Sequence, residues 1–441
     1  MRQKLLRAGA DELNYEIRGI VKKAEQLQKL GKEIYWENIG DPIQKNHRMA
    51  AWMKEIIGEL AQEDATYGYC HSKGVLATRE FLAERTNQLN GVQITADDIL
   101  FFNGLGDAIA KLYQFLVPSS RIIGPSPAYS THSSAEGAHA NAHPLTYKLD
   151  PENNWYPDMD DLYLKVKYNP NIVGILIINP DNPTGMVYPL EILQRFVEIA
   201  KEFDLFLVCD EIYSNITYNG AKAYKLAEYI EDVPGISLNG ISKELPWPGS
   251  RCGWMEYYNR DKDEQFNRLC NTLDNAKMIE VCATKLPQLA IPLILSDERY
   301  QPYRDALNEK IGQRSKLITE LLGDLPQLHF NETFGAFYNT IIFKDEVLKK
   351  GQEIEIEDPK VKALLDGWLE SDPNMSLDKR FVYYLLASKG VCVVPVSSFC
   401  SDLQGFRVTL LEEDETLMRE TFTHIREAVL EYTGAYSYSS K

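Results

Sequence analysis

No apolar run in the sequence approaches a membrane span. Stretches such as Val173 to Ile178 fall far short of the roughly 20 residues a bilayer-crossing helix needs. Basic clusters are missing as well. Lys and Arg total 47 against 64 Asp and Glu, giving a formal charge of −17 that repels a phosphate backbone, so no nucleic-acid partner is expected. Cysteine is sparse, 7 in 441 residues, with no C-x-x-C pair. That argues against a disulfide frame or a zinc site and fits free thiols in a reducing compartment. The N-terminal stretch Met1 to Glu12 has basic residues but no sustained apolar core of a signal peptide. Repeats and low-complexity tracts are absent, apart from a short polar tail from Ser437 to Lys441. The expectation is a soluble, cytoplasmic chain with no membrane, nucleic-acid or metal partner.

What is present is a large α/β pattern. A chain of 441 residues exceeds one small core, so two domains are expected. Short apolar runs begin at Ile99, Arg121, Val173, Leu205 and Gly235, each closed by turn residues or a single polar residue. Amphipathic stretches such as Leu190 to Phe203 lie between several of them. Runs buried on both faces and joined by helices predict a doubly wound, mainly parallel sheet. From about Tyr300 the pattern changes to a long helix (Tyr303 to Leu322), strand-like runs and an acidic segment. We therefore expect a large domain over 47–300 and a smaller α+β domain built from 1–46 with 301–441.

Ligands on open α/β sheets sit outside the carboxyl ends of the strands. Reading on from the runs gives Gly104-Leu-Gly-Asp107, Ser126-Pro-Ala-Tyr129, Asn179-Pro-Asp-Asn182-Pro-Thr-Gly185, Asp210-Glu-Ile-Tyr213 and Ser242-Lys243. A glycine turn, an aromatic, an amide, a carboxylate with a phenol, and a lysine would converge on one rim. A neutral lysine forms an imine with an aldehyde cofactor; a solvated surface lysine is the plainer alternative, and the surroundings of Lys243 argue against it. Asp210 closes an apolar run, where a carboxylate is costly unless a cation such as a protonated pyridine nitrogen faces it. Taken alone, it could as well be the N-cap of the next helix. Asn182 sits in a proline-stiffened turn that reads either as plain loop or as a donor to a cofactor phenolate, to which Tyr213 could also donate. Tyr129 would stack on the ring. Leu105, Gly106 and Asp107 open a predicted helix whose backbone N–H groups suit a phosphate, and Arg251 could add a charged fork to the same anion.

These residues together resemble fold-type I pyridoxal-phosphate-dependent aminotransferases over nearly the whole chain. Ser242-Lys243 followed by Arg251-Cys-Gly-Trp254 resembles that family's Schiff-base lysine and phosphate-binding arginine. Asn182-Pro-Thr-Gly185 and Asp210-x-x-Tyr213 resemble its ring-contact motifs, and Tyr129 its stacking aromatic. Arg407, in Gly405-Phe-Arg-Val-Thr-Leu, resembles the arginine that grips the substrate α-carboxylate. A particular likeness to bacterial glutamate–pyruvate (alanine) aminotransferases lies in Tyr15-Glu-Ile-Arg18-Gly, Asn38-Ile-Gly40-Asp-Pro, Gly68-Tyr69-Cys-His-Ser-Lys-Gly and Asn154-Trp-Tyr-Pro-Asp-Met-Asp-Asp161. The resemblance implies pyridoxal 5′-phosphate as cofactor, and an L-amino acid and a 2-oxo acid as substrates, with alanine or glutamate and pyruvate or 2-oxoglutarate foremost. It implies a Gly40 backbone contact to substrate, and Tyr15 and Arg18 at the substrate entrance. It also implies a homodimer in which Tyr69 reaches the partner's cofactor phosphate.

The sequence departs from relatives in three places. Gly106 stands where they often carry a hydroxyl residue, Glu244-Leu-Pro-Trp-Pro-Gly replaces their loop beside the lysine, and residues 344–378 look like an acidic insertion. A β-lyase, a decarboxylase or a cleaving synthase would use the same cofactor and the same lysine. A ligand-sensing regulator on this fold would need an added DNA-binding helix-turn-helix, for which the segment ahead of Asn38 is too short.

Overall fold

The computed structural model describes residues 5–13 and 17–435, excepting the side chains of residues 17 and 18. In chain order its strands are Tyr35–Trp36 (β1), Ile99–Phe102 (β2), Arg121–Ser126 (β3), Thr146–Asp150 (β4), Tyr156–Pro157 (β5), Ile172–Ile178 (β6), Phe206–Asp210 (β7), Gly235–Gly240 (β8), Gly253–Tyr258 (β9), Leu328–His329 (β10), Tyr338–Phe343 (β11), Val391–Cys392 (β12), Val394–Pro395 (β13) and Gly405–Thr409 (β14). An 8-stranded sheet runs β2-β9-β8-β7-β6-β3-β4-β5. Strands β8, β7, β6, β3 and β4 are mutually parallel, and β2 shares their direction; β9 and β5 run against them.

The near-continuous apolar runs follow from burial on both faces. In β6, Ile175 and Ile177 enter one core with Leu207 and Cys209 of β7, while Leu176 and Ile178 enter the opposite core with Val208. A strand covered on both sides has no position left for polar alternation. The helix Leu190–Glu202 covers the first face through Leu193, Phe196, Val197 and Ala200.

Strands β10, β11, β14 and β13 form a separate antiparallel sheet, and β1 pairs with β12. Its core collects Ile20, Ala24 and Leu27 of the helix Ile17–Gln28, together with residues of the helices Leu377–Lys389 and Glu415–Tyr432. The helix Tyr300–Leu322 joins the two units: Tyr300 lies in a large-sheet core, whereas Ile311, Ile318 and Leu322 lie in the smaller one. Much of the acidic segment is a docked helix, Pro359–Glu370, capped by Asp358 with Pro359 in its first turn. Val361, Leu365 and Trp368 face inward, and Trp368 Nε1 donates to Gln26 Oε1 at 2.9 Å. Among the described residues no helix is long and apolar enough to cross a membrane.

The expected strands match β2, β3, β6, β7 and β8. Strand β9 escaped notice because Glu256 interrupts its apolar pattern. That carboxylate is buried and accepts from Thr86 Oγ1 (2.8 Å), Trp254 Nε1 and Tyr258 Oη (both 2.9 Å), so its burial is compensated.

A second buried carboxyl, Glu211, accepts from the Leu226 N–H and the Ser237 hydroxyl. Burial pushes it up to about 7, from an ordinary 4.5. The folded chain therefore binds this proton more tightly than the unfolded chain. Its stabilising contribution is complete below pH 4.5 and is lost as pH rises through 7. Glu211→Gln, a permanently neutral acceptor, should remove about 3 kcal/mol of the pH-dependent loss of stability between pH 4.5 and 8. Thermal denaturation of both proteins across that range measures it, and equal slopes would contradict the assignment.

Candidate active site

The strands that share one direction present their carboxyl ends along one edge of the large sheet. Between β3 and β6 the order reverses, since β4 follows β3 to one side while β6, β7 and β8 build away on the other. Such a switch point opens a crevice above the sheet. Lys243 lies just beyond β8, half-buried, and its Nζ donates to the Gly40 carbonyl at 2.8 Å. Ser242 precedes it in the same turn, also half-buried.

Asp210 is the last residue of β7 and only 3% exposed. Its Oδ2 lies 2.9 Å from His132 Nε2, and its Oδ1 accepts from the Ile212 N–H at 3.2 Å. His132 belongs to the helix Ser130–Ala140, which starts at Tyr129, and its ring stands edge-on to the Tyr129 ring at 6.2 Å. The sequence reading missed His132. Its signal was position, one helical turn beyond an aromatic already singled out.

On the other side of the crevice, Arg407 on β14 is buried. Its Nη2 donates to the Asn38 carbonyl at 2.9 Å and its Nη1 reaches Asn182 Oδ1 at 3.5 Å. The guanidinium carbon lies 4.4 Å from the centre of the Tyr338 ring and 5.1 Å from that of Phe399. Arg407 Nε has no hydrogen-bond partner, and no carboxylate pairs with this side chain among the described residues. A buried cation without a counter-charge is costly. Tyr213 Oη lies 3.1 Å from Tyr338 Oη. Burial pushes the Tyr213 phenol well above its usual range, and Tyr338 beside it adds to the shift, so it remains a hydrogen-bond donor.

A third cluster stands at the start of the helix Leu105–Gln114. Gly104, at φ 88°, caps it, and the Arg251 guanidinium lies directly over that glycine: a Cβ there would collide with Nη2 and sit 2.8 Å from Cζ. Arg251 comes to this rim because β9, which follows it, runs antiparallel to β8 and β2. Gly106 faces open space, leaving room for an anion at the backbone N–H groups. Asp107 is engaged within the turn, accepting from the Asn103 N–H at 3.0 Å and facing Lys277 Nζ at 3.4 Å.

The structure thus brings together Lys243, Ser242, Asp210, Tyr213, Asn182, Tyr129, Gly40 and Arg407, with Leu105, Gly106, Asp107 and Arg251 clustered on the same rim. Tyr69 stands apart, 82% exposed on the surface. Tyr15 lies outside the described residues, as does the side chain of Arg18, whose backbone is in the helix Ile17–Gln28. Tyr338 and Asn38 were not anticipated as site residues. Tyr338 was hidden inside an apolar strand, and Asn38 contributes a backbone carbonyl that no side-chain motif reveals.

Residues 38–422 match the family model for aminotransferase class I and II. The chain is 52% identical over 432 residues to an uncharacterised aminotransferase of Methanocaldococcus jannaschii, covering 98% of this chain and 99% of that relative. It is 30% identical over 329 residues to the glutamate–pyruvate aminotransferase AlaA of Escherichia coli, covering 74% and 79%. Among solved structures it is similar to an alanine aminotransferase from Pyrococcus furiosus, with a TM-score of 0.83 at 26% identity over 97% of this chain and 100% of that one. With sequence, fold and rim in agreement, the chain belongs to the class I and II aminotransferases, a family of transferases that works with pyridoxal 5′-phosphate.

Proposed function

We propose that this aminotransferase holds pyridoxal 5′-phosphate on Lys243 and moves an amino group between an L-amino acid and a 2-oxo acid, with alanine or glutamate as donor and pyruvate or 2-oxoglutarate as acceptor. The observation that carries the reading is the buried Arg407 guanidinium, unpartnered at Nε, on the same crevice as the Lys243 side chain. The choice of substrates is supported by relatives named glutamate–pyruvate and alanine aminotransferases.

The residues present fit the cofactor. The Gly104 cradle and Arg251 suit its phosphate, Asp210 with His132 its ring nitrogen, Tyr213 and Asn182 its ring oxygen, and Tyr129 its face. When bound, it supplies an electron sink for the carbanion formed at the substrate Cα. The chain does the rest. Arg407 fixes the α-carboxylate by a two-bonded fork and so orients the Cα–H bond. Lys243, held near the Gly40 carbonyl, would take and return the Cα proton. Asp210, buried and held by His132 and the Ile212 N–H, would face the ring nitrogen and orient it.

A homodimer with shared sites belongs to the same proposal, Tyr69 of one copy reaching the other's phosphate. The support is an unusually exposed apolar surface, with Tyr67 at 74%, Tyr69 at 82% and Ile279 at 87%. The Lys285 ammonium donates to the Ala65 carbonyl and so holds these two segments side by side. We place the division between domains near residues 46 and 300, supported by the helix Tyr300–Leu322 passing from one core to the other. Seven free cysteines accord with a cytoplasmic setting.

The test is the half-reaction. L-Alanine or L-glutamate added to the cofactor-loaded protein should shift its absorption and release one equivalent of pyruvate or 2-oxoglutarate. Release of ammonia or carbon dioxide instead would assign a lyase or a decarboxylase. Arg407→Lys keeps the charge but loses the planar fork. It should raise the amino-acid KM roughly 30- to 150-fold, the loss of a charged hydrogen bond, while leaving the cofactor absorption unaltered. An unchanged KM in steady-state kinetics would remove Arg407 from substrate recognition.

A further inference from the structure

We propose that Tyr338 is the positioning residue that links the two ends of the site: its hydroxyl orients Tyr213, and its ring supports Arg407. This rests on the reading of the site given above. The placement follows from strand register. On β11 and β14, Tyr338 pairs with Thr409 and Thr340 with Arg407, so Tyr338 and Arg407 are diagonal neighbours on one face. At that spacing an aromatic ring reaches its neighbour, and the guanidinium carbon lies 4.4 Å from the ring centre. A cation over an aromatic face is stabilised most where water is excluded, and both residues are nearly fully buried.

The hydroxyl serves the other end. Tyr338 Oη and Tyr213 Oη lie 3.1 Å apart, and the two rings meet edge to face at 5.8 Å. A phenol carries one proton. If Tyr213 spends its proton on Tyr338, it has none to donate to a ligand. If Tyr338 donates, Tyr213 accepts and points its own proton outward, and hydrogen bonds arranged head to tail in this way strengthen one another. Gly40 completes the arrangement. A Cβ at that position would collide with the Tyr338 hydroxyl, so the absence of a side chain lets Tyr338 and the Gly40 carbonyl, which holds Lys243, occupy the same corner. One side chain thereby touches the neighbours of the lysine, the phenol and the carboxylate clamp.

Two substitutions separate the two roles. Tyr338→Phe keeps the ring and removes the hydroxyl; Tyr338→Leu removes both. Two readouts are followed on the cofactor-loaded proteins: the midpoint of the pH-dependent change in cofactor absorbance, and the calorimetric affinity for propionate and glutarate, which are alanine and glutamate without their amino groups. Tyr338→Phe should raise the midpoint by roughly half a unit or more, because a weaker donor at the ring oxygen favours the protonated form. It should leave both carboxylate affinities within about twofold. Tyr338→Leu should shift the midpoint similarly and weaken both carboxylates by roughly threefold or more. An unmoved midpoint in Tyr338→Phe overturns the proposal, as does an equal loss of carboxylate affinity in the two variants. A wild-type protein without any cofactor band would overturn the site reading and this proposal with it, which separates that failure from the other two.

Discussion

Lys45 donates from one buried ammonium to Glu37 Oε1, Glu412 Oε2 and the Trp36 carbonyl, each at 3.0 Å, while Glu37 Oε2 accepts from Thr409 Oγ1 at 2.9 Å. This cluster fastens residues 36–45 to the end of β14. Between its anchors lie Asn38 and Gly40, whose carbonyls hold Arg407 and Lys243. Arg407 and Lys243 stand on different sheets of the chain, and the segment 38–40 contacts both. Buried charges of this kind tolerate few arrangements, because an ion out of place keeps its desolvation cost without its partner. The positions of Arg407 and Lys243 are therefore set from behind, by this buried cluster.

The large sheet contributes the complementary constraint. With both faces buried, β6, β7 and β8 have only their carboxyl ends on which to carry polar chemistry. Asp210, Lys243 and the Asn179–Gly185 turn stand there because the strands beneath them leave no other place. Parallel strands gather these ends along one edge, and the antiparallel β9 returns Arg251 to the same edge, over Gly104.

This explains what was legible in the sequence. Runs that end in a polar residue announce both the strand and its carboxyl end, so β2, β3, β6, β7 and β8 were readable together with the rim positions of Tyr129, Asn182, Asp210 and Lys243. Contacts made by groups that look ordinary were not readable. Glu256 concealed β9 because its burial depends on partners distant in sequence. His132 and Tyr338 carry no motif of their own; their roles arise only when one helix and two strands meet. The Glu244 loop remains distinctive in three dimensions. Its carboxyl is buried beside the lysine, pushed up by that burial, with Asn215 Nδ2 donating at 2.6 Å and Tyr303 Oη 3.5 Å from its backbone carbonyl. The wall behind Lys243 thus takes polar groups from the turn after β7, through Asn215, and from the helix that joins the two cores, through Tyr303.

Lys243, among the lysines of the chain, is the one proposed to carry the cofactor. Borohydride reduction of the protein loaded with pyridoxal 5′-phosphate, followed by proteolysis and peptide mass spectrometry, addresses it directly. The account predicts a single phosphopyridoxyl adduct, on the peptide containing Ser242-Lys243-Glu244. An adduct on any other lysine, or none after reduction of a protein that has bound the cofactor, would contradict it.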